Sequence, residues 1–482
     1  MRLNPNTIGI LHFVGIGGIG MSGIAEILLD MGYTIQGSDI ADGANVKRLQ
    51  DKGIEISIGH HADNLKNASA IIISSAVRQD NPEMIAARES RLPIIRRAEM
   101  LAEIMRMRLG IAIAGSHGKT TTTSLVGTMM EIGGFDPTVV NGGIVNAYGT
   151  NVRMGQGDWL VAEADESDGT FTRLPATAAV VTNIDPEHLD HYGSFDNAKA
   201  AFRNFVNNLP FYGFAALCID HPEVQNLIPQ LQDRRVITYG FSKQADMQIL
   251  NVEAKGGETR FDIRLQGWLE DKIEDRIIDG FTLPMLGNHN VLNATAAIIV
   301  GHEMGMSDVL LRQGLAAFQG VKRRFTKTGE VSGVTIIDDY AHHPVEIEAV
   351  LSAARTGVES TGGKIHAIMQ PHRYTRLDDL FDEFATCFND ADTVYIADVY
   401  EAGEQPIENI NGETLAKAVS DHGHKDASYV ADVSRLPSLL SDKIQPNDMI
   451  VFLGAGDITK WAYDLPEQLS QFEPPRRQDA KV

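Results

Sequence analysis

The 482-residue sequence predicts an α/β protein of three domains with largely parallel sheets. Three observations carry that expectation. Short apolar segments alternate with helix-length stretches along the chain, the pattern of βαβ units. The pattern restarts twice, after Arg108-Leu-Gly110 and around Gly320-Val-Lys-Arg-Arg324. A chain this long also exceeds one hydrophobic core, which sets two to four domains as the starting point. The divisions follow at 1–108, 109–320 and 321–482.

The first unit opens with a strand Ile8–Val14, a glycine turn, a helix near Gly18–Met31 and a strand Tyr33–Ser38. Strands are expected again at Ile54–Ile58 and Ala70–Ser74, and a helix Arg97–Met107 leads to the first boundary. The second unit starts with Ile111–Ala114 and adds strands near Trp159–Ala162 and Ala178–Asn183 and a helix near Asp196–Asn207. Its stretch 245–278 is more polar, with weaker alternation, and reads as an antiparallel edge. A helix after Gly287-Asn-His-Asn290 closes the unit. The third unit holds strand Val334–Ile337, helix Val345–Arg355, strand Ile365–Met369, helix Leu377–Phe388, and strands Val394–Asp398 and Met449–Leu453. The polar, proline-containing tail from Ser470 is expected to fray.

Asp and Glu number 64 against 42 Lys and Arg, a formal net charge of -22. Phosphate backbones and anionic membranes repel such a chain, which argues against nucleic-acid and membrane partners. A phosphate-bearing ligand then needs its own local cations or backbone N–H groups. The two cysteines, Cys218 and Cys387, lie far apart without metal-ligand spacing, which fits a reducing compartment. The N-terminus lacks a signal-peptide pattern, and no apolar run approaches the roughly 20 residues of a membrane span. The expected location is the cytoplasm.

The strongest local signal is Ala114-Gly-Ser-His-Gly-Lys-Thr-Thr-Thr-Thr123, set between a short strand and a helical stretch. Glycines let backbone N–H groups converge on phosphate oxygens, and the helix N-terminus adds its positive end. Gly115, Ser116, His117, Gly118 and Thr121 then form an ATP cradle. Lys119 reaches the β/γ-phosphates and Thr120 serves Mg²⁺. The spacing G-x-x-G-K-T is shorter than the common form, with Ile113 where the first glycine would stand.

The earlier run Gly15-Ile-Gly-Gly-Ile-Gly20 matches G-x-G-x-x-G after a strand, and Asp39 sits where a ribose-binding acid is placed in a dinucleotide fold. Alone, this fits an NAD-dependent dehydrogenase. Such a loop binds any pyrophosphate, so a nucleotide-linked substrate stays equally open. Glu163-Ala-Asp-Glu-Ser-Asp168 and Asn183-Ile-Asp-Pro-Glu-His-Leu-Asp190 follow two strands at the ends where open α/β sheets bind ligands. Glu163 suits Mg²⁺, which favours oxygen ligands, and His188 is a less usual ligand. Asn290 and Asn293 share a helix face and offer amides to an adenine edge, with helix capping as the alternative. Lys322-Arg-Arg324 and His372-Arg-Tyr-Thr-Arg376 supply cations matched to phosphate or carboxylate. Asp338-Asp-Tyr-Ala-His-His343 adds a third titratable cluster.

Taken in order, HFVGIGGIGMSGIA, AGSHGKTTTT, EADESD, TNIDPEHLDHY, GNHNVLNATAA, GVKRRF, DDYAHHP, QPHRYTR and VYEAGEQPI resemble the motifs of the Mur ligases over nearly the whole chain. The set most resembles members that add L-alanine. The resemblance implies an N-terminal Rossmann-like domain, a central P-loop ATPase-like α/β domain and a C-terminal Rossmann-like domain. It implies an ATP- and Mg²⁺-dependent ligase that phosphorylates the lactyl carboxylate of UDP-N-acetylmuramate and passes the acyl group to L-alanine, in peptidoglycan precursor synthesis.

Carried over by motif, Gly15, Gly17, Gly18, Ile19 and Gly20 hold the UDP-sugar's diphosphate, with Ser38 and Asp39 as further candidates. Lys119, Glu163 and His188 are the implied catalytic group, and Thr120, Glu163 and His188 the metal ligands. Asn290, Asn293, Arg324 and Asp339 meet ATP, while Tyr340, His342, Arg373 and Arg376 hold the amino acid. Ser116 replaces the family's common threonine. Several sister ligases carry a carbamylated lysine. That position falls near Arg203, with Lys199 one turn away, so no carbamyl-lysine is expected. The implied assembly is a monomer or homodimer. A ligase that attaches a preformed peptide to the same sugar nucleotide, and a non-catalytic nucleotide-binding regulator, remain as rivals.

Overall fold

The computed structural model describes residues 8–74, 76–231, 233–269 and 272–471. The tail beyond Gln471 lies outside them. A five-stranded parallel sheet comes first, in the spatial order Glu55–Ile58, Thr34–Asp39, Ile10–Val14, Ala68–Ile73 and Ile94–Arg96. A ten-stranded sheet follows. Its centre is Ala178–Val181, Leu109–Ala114, Trp159–Glu163 and Thr138–Val145, all parallel. Phe214–Cys218 and Arg235–Gly240 extend it on one side, also parallel. A six-stranded sheet is built on Val334–Asp339, Met449–Leu453, Ile365–Met369, Thr393–Ile396 and Ala427–Tyr429, parallel throughout, with Thr326–Val331 antiparallel at one edge.

Strands covered on both faces should read as unbroken apolar runs. Ile111, Ala112, Ile113 and Ala114 do so, each fully buried. The polar stretch 245–278 forms edge strands Met247–Lys255, Glu258–Leu269 and Lys272–Leu283. Gly256-Gly257 alone joins the first two neighbours, a connection only antiparallel strands can make.

Helix Phe195–Asn207 shows why its segment folds as it does. Ser194 caps it by accepting the Asn197 N–H, and Ala198, Phe202, Phe205 and Val206 form one buried stripe. Phe202 meets Phe171 edge-on at 5.1 Å, and truncating such a core phenylalanine costs about 3–5 kcal/mol. The expected helix Leu377–Phe388 differs: it is two pieces, Tyr374–Asp379 and Phe381–Thr386. Leu380, at φ -125° and ψ 26°, breaks the run, and both Leu380 and Phe381 pack against the third sheet's core.

The chain divides into two compact units. One runs to Leu250 and adds Asp262–Phe281 and Leu292–Gln319; the other comprises Asn251–Phe261, Thr282–Val291 and the chain from Gly320. Among the described residues no helix is long and apolar enough to cross a membrane.

Candidate functional site

The first glycine loop is anchored by its own backbone. Strand Ile10–Val14 runs into Gly15, whose N–H donates to the Ser38 carbonyl at 2.8 Å, as does that of Ile16 at 3.0 Å. The Gly17 N–H donates to Asp39 Oδ2 at 2.8 Å, and Asn45 donates to the Gly17 carbonyl at 2.8 Å. A Cβ on Gly17 would lie 2.7 Å from Val46 and 2.9 Å from Asp39, so a side chain would push the latch open. Helix Ile19–Asp30 begins without a side-chain cap. Its first N–H groups are therefore available to an anion. Ser38 is fully buried and donates its hydroxyl to Glu83 at 2.6 Å. Gly18, Ile19 and Gly20 line a cavity of about 270 Å³ together with Arg97, Asn141 and Glu163. Arg97 pairs with Asp165 at 2.8 Å in its wall.

The second loop carries side-chain chemistry. It leaves strand Leu109–Ala114 and enters helix Lys119–Ile132 through Gly118, which sits at φ 81° with no side-chain cap. Gly118 is a position only glycine fills easily, since a Cβ there would also lie 2.6 Å from Asn293. The loop is tied to the segment after strand Ala178–Val181: the His117 N–H donates to Asn183 at 2.7 Å, and the Asp185 N–H donates to Ser116 Oγ at 2.8 Å. Thr121 is buried in the first helical turn.

Lys119 Nζ donates to the carbonyls of Gly115 and Ser116 at 2.6 and 2.9 Å and to Glu166 at 2.8 Å. Burial opposes its charge, but the carboxylates of Glu166 and Glu163 outweigh it and hold Lys119 as an ammonium, above its ordinary pKa. Burial pushes Glu166 up to about 7, with Lys119 offsetting part of the shift. Thr120 donates its hydroxyl to Glu163 Oε2 at 3.0 Å, and the Gly142 N–H donates to the same oxygen at 2.7 Å.

His188 stands at φ 55°, ahead of the short helix Leu189–Tyr192, with Nε2 3.9 Å from Glu166 and 3.7 Å from Glu187. Ligand atoms of Glu166, Glu187 and His188 all lie within 4.8 Å of one another. The sequence reading paired His188 with Glu163; the geometry groups His188 with Glu166 and Glu187, and Glu163 with Thr120. These donors suit a magnesium ion. They are mostly oxygen, as a hard divalent cation requires, and the buried Glu166 Oε2 has no hydrogen-bond partner among the described residues. Nearby, Asp185 Oδ1 shares a hydrogen bond with His221 Nε2 at 3.3 Å, and its Oδ2 lies 3.3 Å from His117 Nε2. Burial pulls its pKa up, and the two imidazoles hold it well below the ordinary carboxylate range.

Lys199 is paired with Asp196 at 2.9 Å and Glu223 at 3.5 Å. The hydrogen bond to Asp196 first, then the other charges, raise its pKa above the ordinary value.

In the second unit, strand Val334–Asp339 delivers Asp339, whose carboxylate accepts the N–H groups of Phe325 and Ala341 at 2.6 and 2.8 Å. Burial lifts it to about 6. The Arg324 guanidinium lies 5.3 Å over the Tyr340 ring and 3.9 Å from Glu346. His342 approaches Glu346 at 3.4 Å and meets the Tyr340 ring edge-on. Arg373 takes φ 72°, a strained conformation for a side-chain-bearing residue that recurs at ligand clamps. Its N–H bonds the Tyr400 carbonyl, and its guanidinium pairs with Glu404. Arg376 points at His372, 3.3 Å away, and burial followed by Arg376 lowers that imidazole to about 4. The buried Asn290 donates to the Leu286 carbonyl at 2.8 Å.

Glu166, Glu187, Glu346 and Glu404 were not singled out from the sequence. The first two lie inside the acidic motifs, and their spacing of three from Glu163 and one from His188 was the available signal.

A lysine-bearing phosphate cradle, with hydroxyl and carboxylates at the C-terminal ends of parallel strands, defines an α/β enzyme of the nucleotide-using class. Residues 10–108 match the catalytic domain of the Mur ligase family, 113–301 its middle domain and 323–456 its glutamate ligase domain. The chain belongs to the Mur ligase family, a family of ATP-dependent ligases. It is 58% identical over 467 residues to the UDP-N-acetylmuramate–L-alanine ligase of Brucella ovis, covering 97% of this chain and 98% of that one. It is 57% identical to the same ligase of Methylorubrum populi over the same shares. The crystal structure of UDP-N-acetylmuramate-alanine ligase MurC from Thermotoga maritima superposes with a TM-score of 0.79 at 29% identity, covering 96% of this chain and 99% of that one. A murein peptide ligase from Psychrobacter arcticus shares the fold at a TM-score of 0.68 and 21% identity, over 96% and 99% of the two chains.

Proposed function

We propose that this chain joins L-alanine to the lactyl carboxylate of UDP-N-acetylmuramate, coupled to cleavage of ATP, in cytoplasmic peptidoglycan precursor synthesis. The observation that carries the reading is the Lys119–Glu166 and Thr120–Glu163 pairing at the second loop. It is supported by the 58% identity to ligases of that activity over almost the full chain. Three domains are proposed, 1–108 for the UDP-sugar, 109–320 for ATP and 321–482 for the amino acid.

A carboxylate is a poor electrophile, so phosphate is installed as a leaving group. The lactyl oxygen attacks the γ-phosphorus, the bond to the β-phosphate oxygen breaks, and ADP leaves. The amine of alanine attacks the acyl carbon, the carbon–oxygen bond to phosphate breaks, and the nitrogen's proton leaves with phosphate or solvent. Lys119 exchanges Glu166 and its two loop carbonyls for the phosphate oxygens and offsets the repulsion between two anionic reactants. The loop N–H groups of Gly115 to Thr121 orient the phosphates, and Asn290, Asn293, Arg324 and Asp339 hold the rest of the nucleotide. Thr120 and Glu163 would hold Mg²⁺, with His188, Glu166 and Glu187 forming a second set; bound there, the ion supplies charge neutralisation at the phosphates. Arg373 and Arg376 present guanidinium groups to the α-carboxylate of alanine, and Tyr340 and His342 bound a small side-chain pocket. A diphosphate on Gly15–Gly20 would deliver the sugar into the cavity that Glu163 lines.

Phosphate release from ATP and UDP-N-acetylmuramate is expected with L-alanine. Release with the corresponding tripeptide in place of L-alanine would favour the recycling activity instead. Tight NADH binding without ATP turnover would favour an oxidoreductase.

A further inference from the structure

The two glycine loops are tied to one hairpin at the edge of the ten-stranded sheet. Its strands, Thr138–Val145 and Thr150–Arg153, pair antiparallel with Val140 opposite Val152. Two asparagines on this hairpin, Asn141 and Asn151, are each 2% exposed, and the mechanism gives neither a role.

Asn151 makes the link to the first loop. Its Nδ2 donates at 2.6 Å to the carbonyl of Ile19, the first residue of the helix that leaves that loop. The same nitrogen lies 3.5 Å from the Asn141 carbonyl, a longer contact within the hairpin. An amide nitrogen carries two hydrogens, so it serves both carbonyls at once. Helix Ile19–Asp30 lies close on this strand. Gly23 is buried, and a Cβ there would run into Val152 and stand 3.0 Å from Asn151 Nδ2.

Asn141 makes the link to the second loop. Its Nδ2 donates to the Thr120 carbonyl at 3.2 Å and to the Ser124 hydroxyl, which itself donates to the Thr120 carbonyl at 2.9 Å. Its Oδ1 accepts the Gly142 N–H at 2.9 Å, and that N–H also reaches Glu163 at 2.7 Å. The hairpin therefore holds Ile19 on one side and the Thr120–Glu163 pair on the other. Ile19, Asn141, Gly142 and Glu163 line the same cavity of about 270 Å³.

A carboxylate delivered from the first loop must reach a γ-phosphorus held by the second, and a misplacement of about 1 Å costs such an attack about 10²-fold. Apolar contact tolerates sliding, whereas a hydrogen bond weakens steeply off its axis. We propose that Asn151 is a positioning residue: by bridging the Ile19 carbonyl to the Asn141 carbonyl, it sets the separation of the first loop from the Thr120–Glu163 pair. It acts through the backbone of Ile19 and Asn141. This rests on the reading of the reaction as phosphoryl transfer from ATP to a carboxylate carried by the first loop's ligand.

Asn151→Ala and Val152→Ala separate the polar bridge from the packing beside it. Isothermal titration with UDP-N-acetylmuramate, and separately with a non-hydrolysable ATP analogue, reads each loop alone; ADP formation in a single turnover reads the transfer. In Asn151→Ala both dissociation constants should stay within about twofold of wild type while the transfer slows about thirtyfold. Val152→Ala keeps both amide contacts and should slow the transfer less than about threefold. Asn151→Ser, a donor of shorter reach that leaves less unpaired, should fall between the two and serves if Asn151→Ala does not fold. A purely structural role would lower Tm and weaken both ligands together. That outcome, a transfer rate within about twofold of wild type in Asn151→Ala, or an equal loss in Val152→Ala overturns the proposal. Failure of the wild type to bind UDP-N-acetylmuramate while it binds the ATP analogue would overturn the functional reading instead.

Discussion

The two glycine loops share a strand–loop–helix layout and differ in what completes the turn. At Gly15–Gly20 the turn is closed by backbone and by one carboxylate, Asp39, and the cation beside Gly20, Arg97, comes from a later helix and is paired with Asp165. At Gly115–Thr120 an ammonium, a hydroxyl and two glutamates are built in. A loop that only holds a diphosphate needs N–H groups and room. A loop that transfers a phosphoryl group needs charge that can move onto the departing oxygens. The comparison separates binding from chemistry, and substitutions should respect that line.

Lys119→Ala should break the second loop outright, lowering kcat by about 10³-fold while KM for UDP-N-acetylmuramate stays within about twofold. Steady-state phosphate release reads both parameters, and a large KM change would erase the distinction. Glu163→Gln should come next, at about 10²-fold in kcat, partly relieved by raised Mg²⁺ in a magnesium titration. Gly17→Ala tests the first loop: the added Cβ meets Val46 and Asp39, so KM for the sugar nucleotide should rise about tenfold with kcat unchanged.

A fourth prediction concerns acid. Burial raises Glu83, but hydrogen bonds from His12, Ser38 and Asn64 more than offset it, so its pKa falls below the ordinary 4.5. A carboxylate depressed on folding contributes stability that is present above its ordinary value and lost as pH falls through the folded one. Thermal unfolding should therefore lose Tm below pH 4.5, and Glu83→Gln should flatten that limb. Ser116→Thr is the smallest: the hydroxyl that accepts the Asp185 N–H survives, and kcat/KM should move by less than about twofold.

Both loops were legible in the sequence because glycine spacing after an apolar strand reports a backbone geometry. The parallel strands were legible for a related reason, since burial on both faces removes polar alternation, as at Ile111–Ala114. What resisted reading depends on distance across the chain. Glu166 is one acid among four in its motif, and only folding shows that Lys119 selects it. Ser38 reads as a ligand contact, and only folding shows that it is buried with its hydroxyl on Glu83, 45 residues on. The break at Leu380 escaped because no glycine or proline marks it, and Leu380 and Phe381 pack against the core of the third sheet. The edge strands at 247–283 were anticipated in kind but not in extent, since exposed strands carry little apolar signal.

The Lys119–Glu166 contact also bears on inhibitor chemistry. Reagents that acylate or form imines with lysine need a neutral amine with a free lone pair. Lys119 offers neither: its three N–H bonds are committed to Gly115, Ser116 and Glu166, and its charge is held in place. A covalent warhead aimed at the centre of this enzyme would find its obvious nucleophile already quenched. Reversible anions that displace Glu166 are the better starting point.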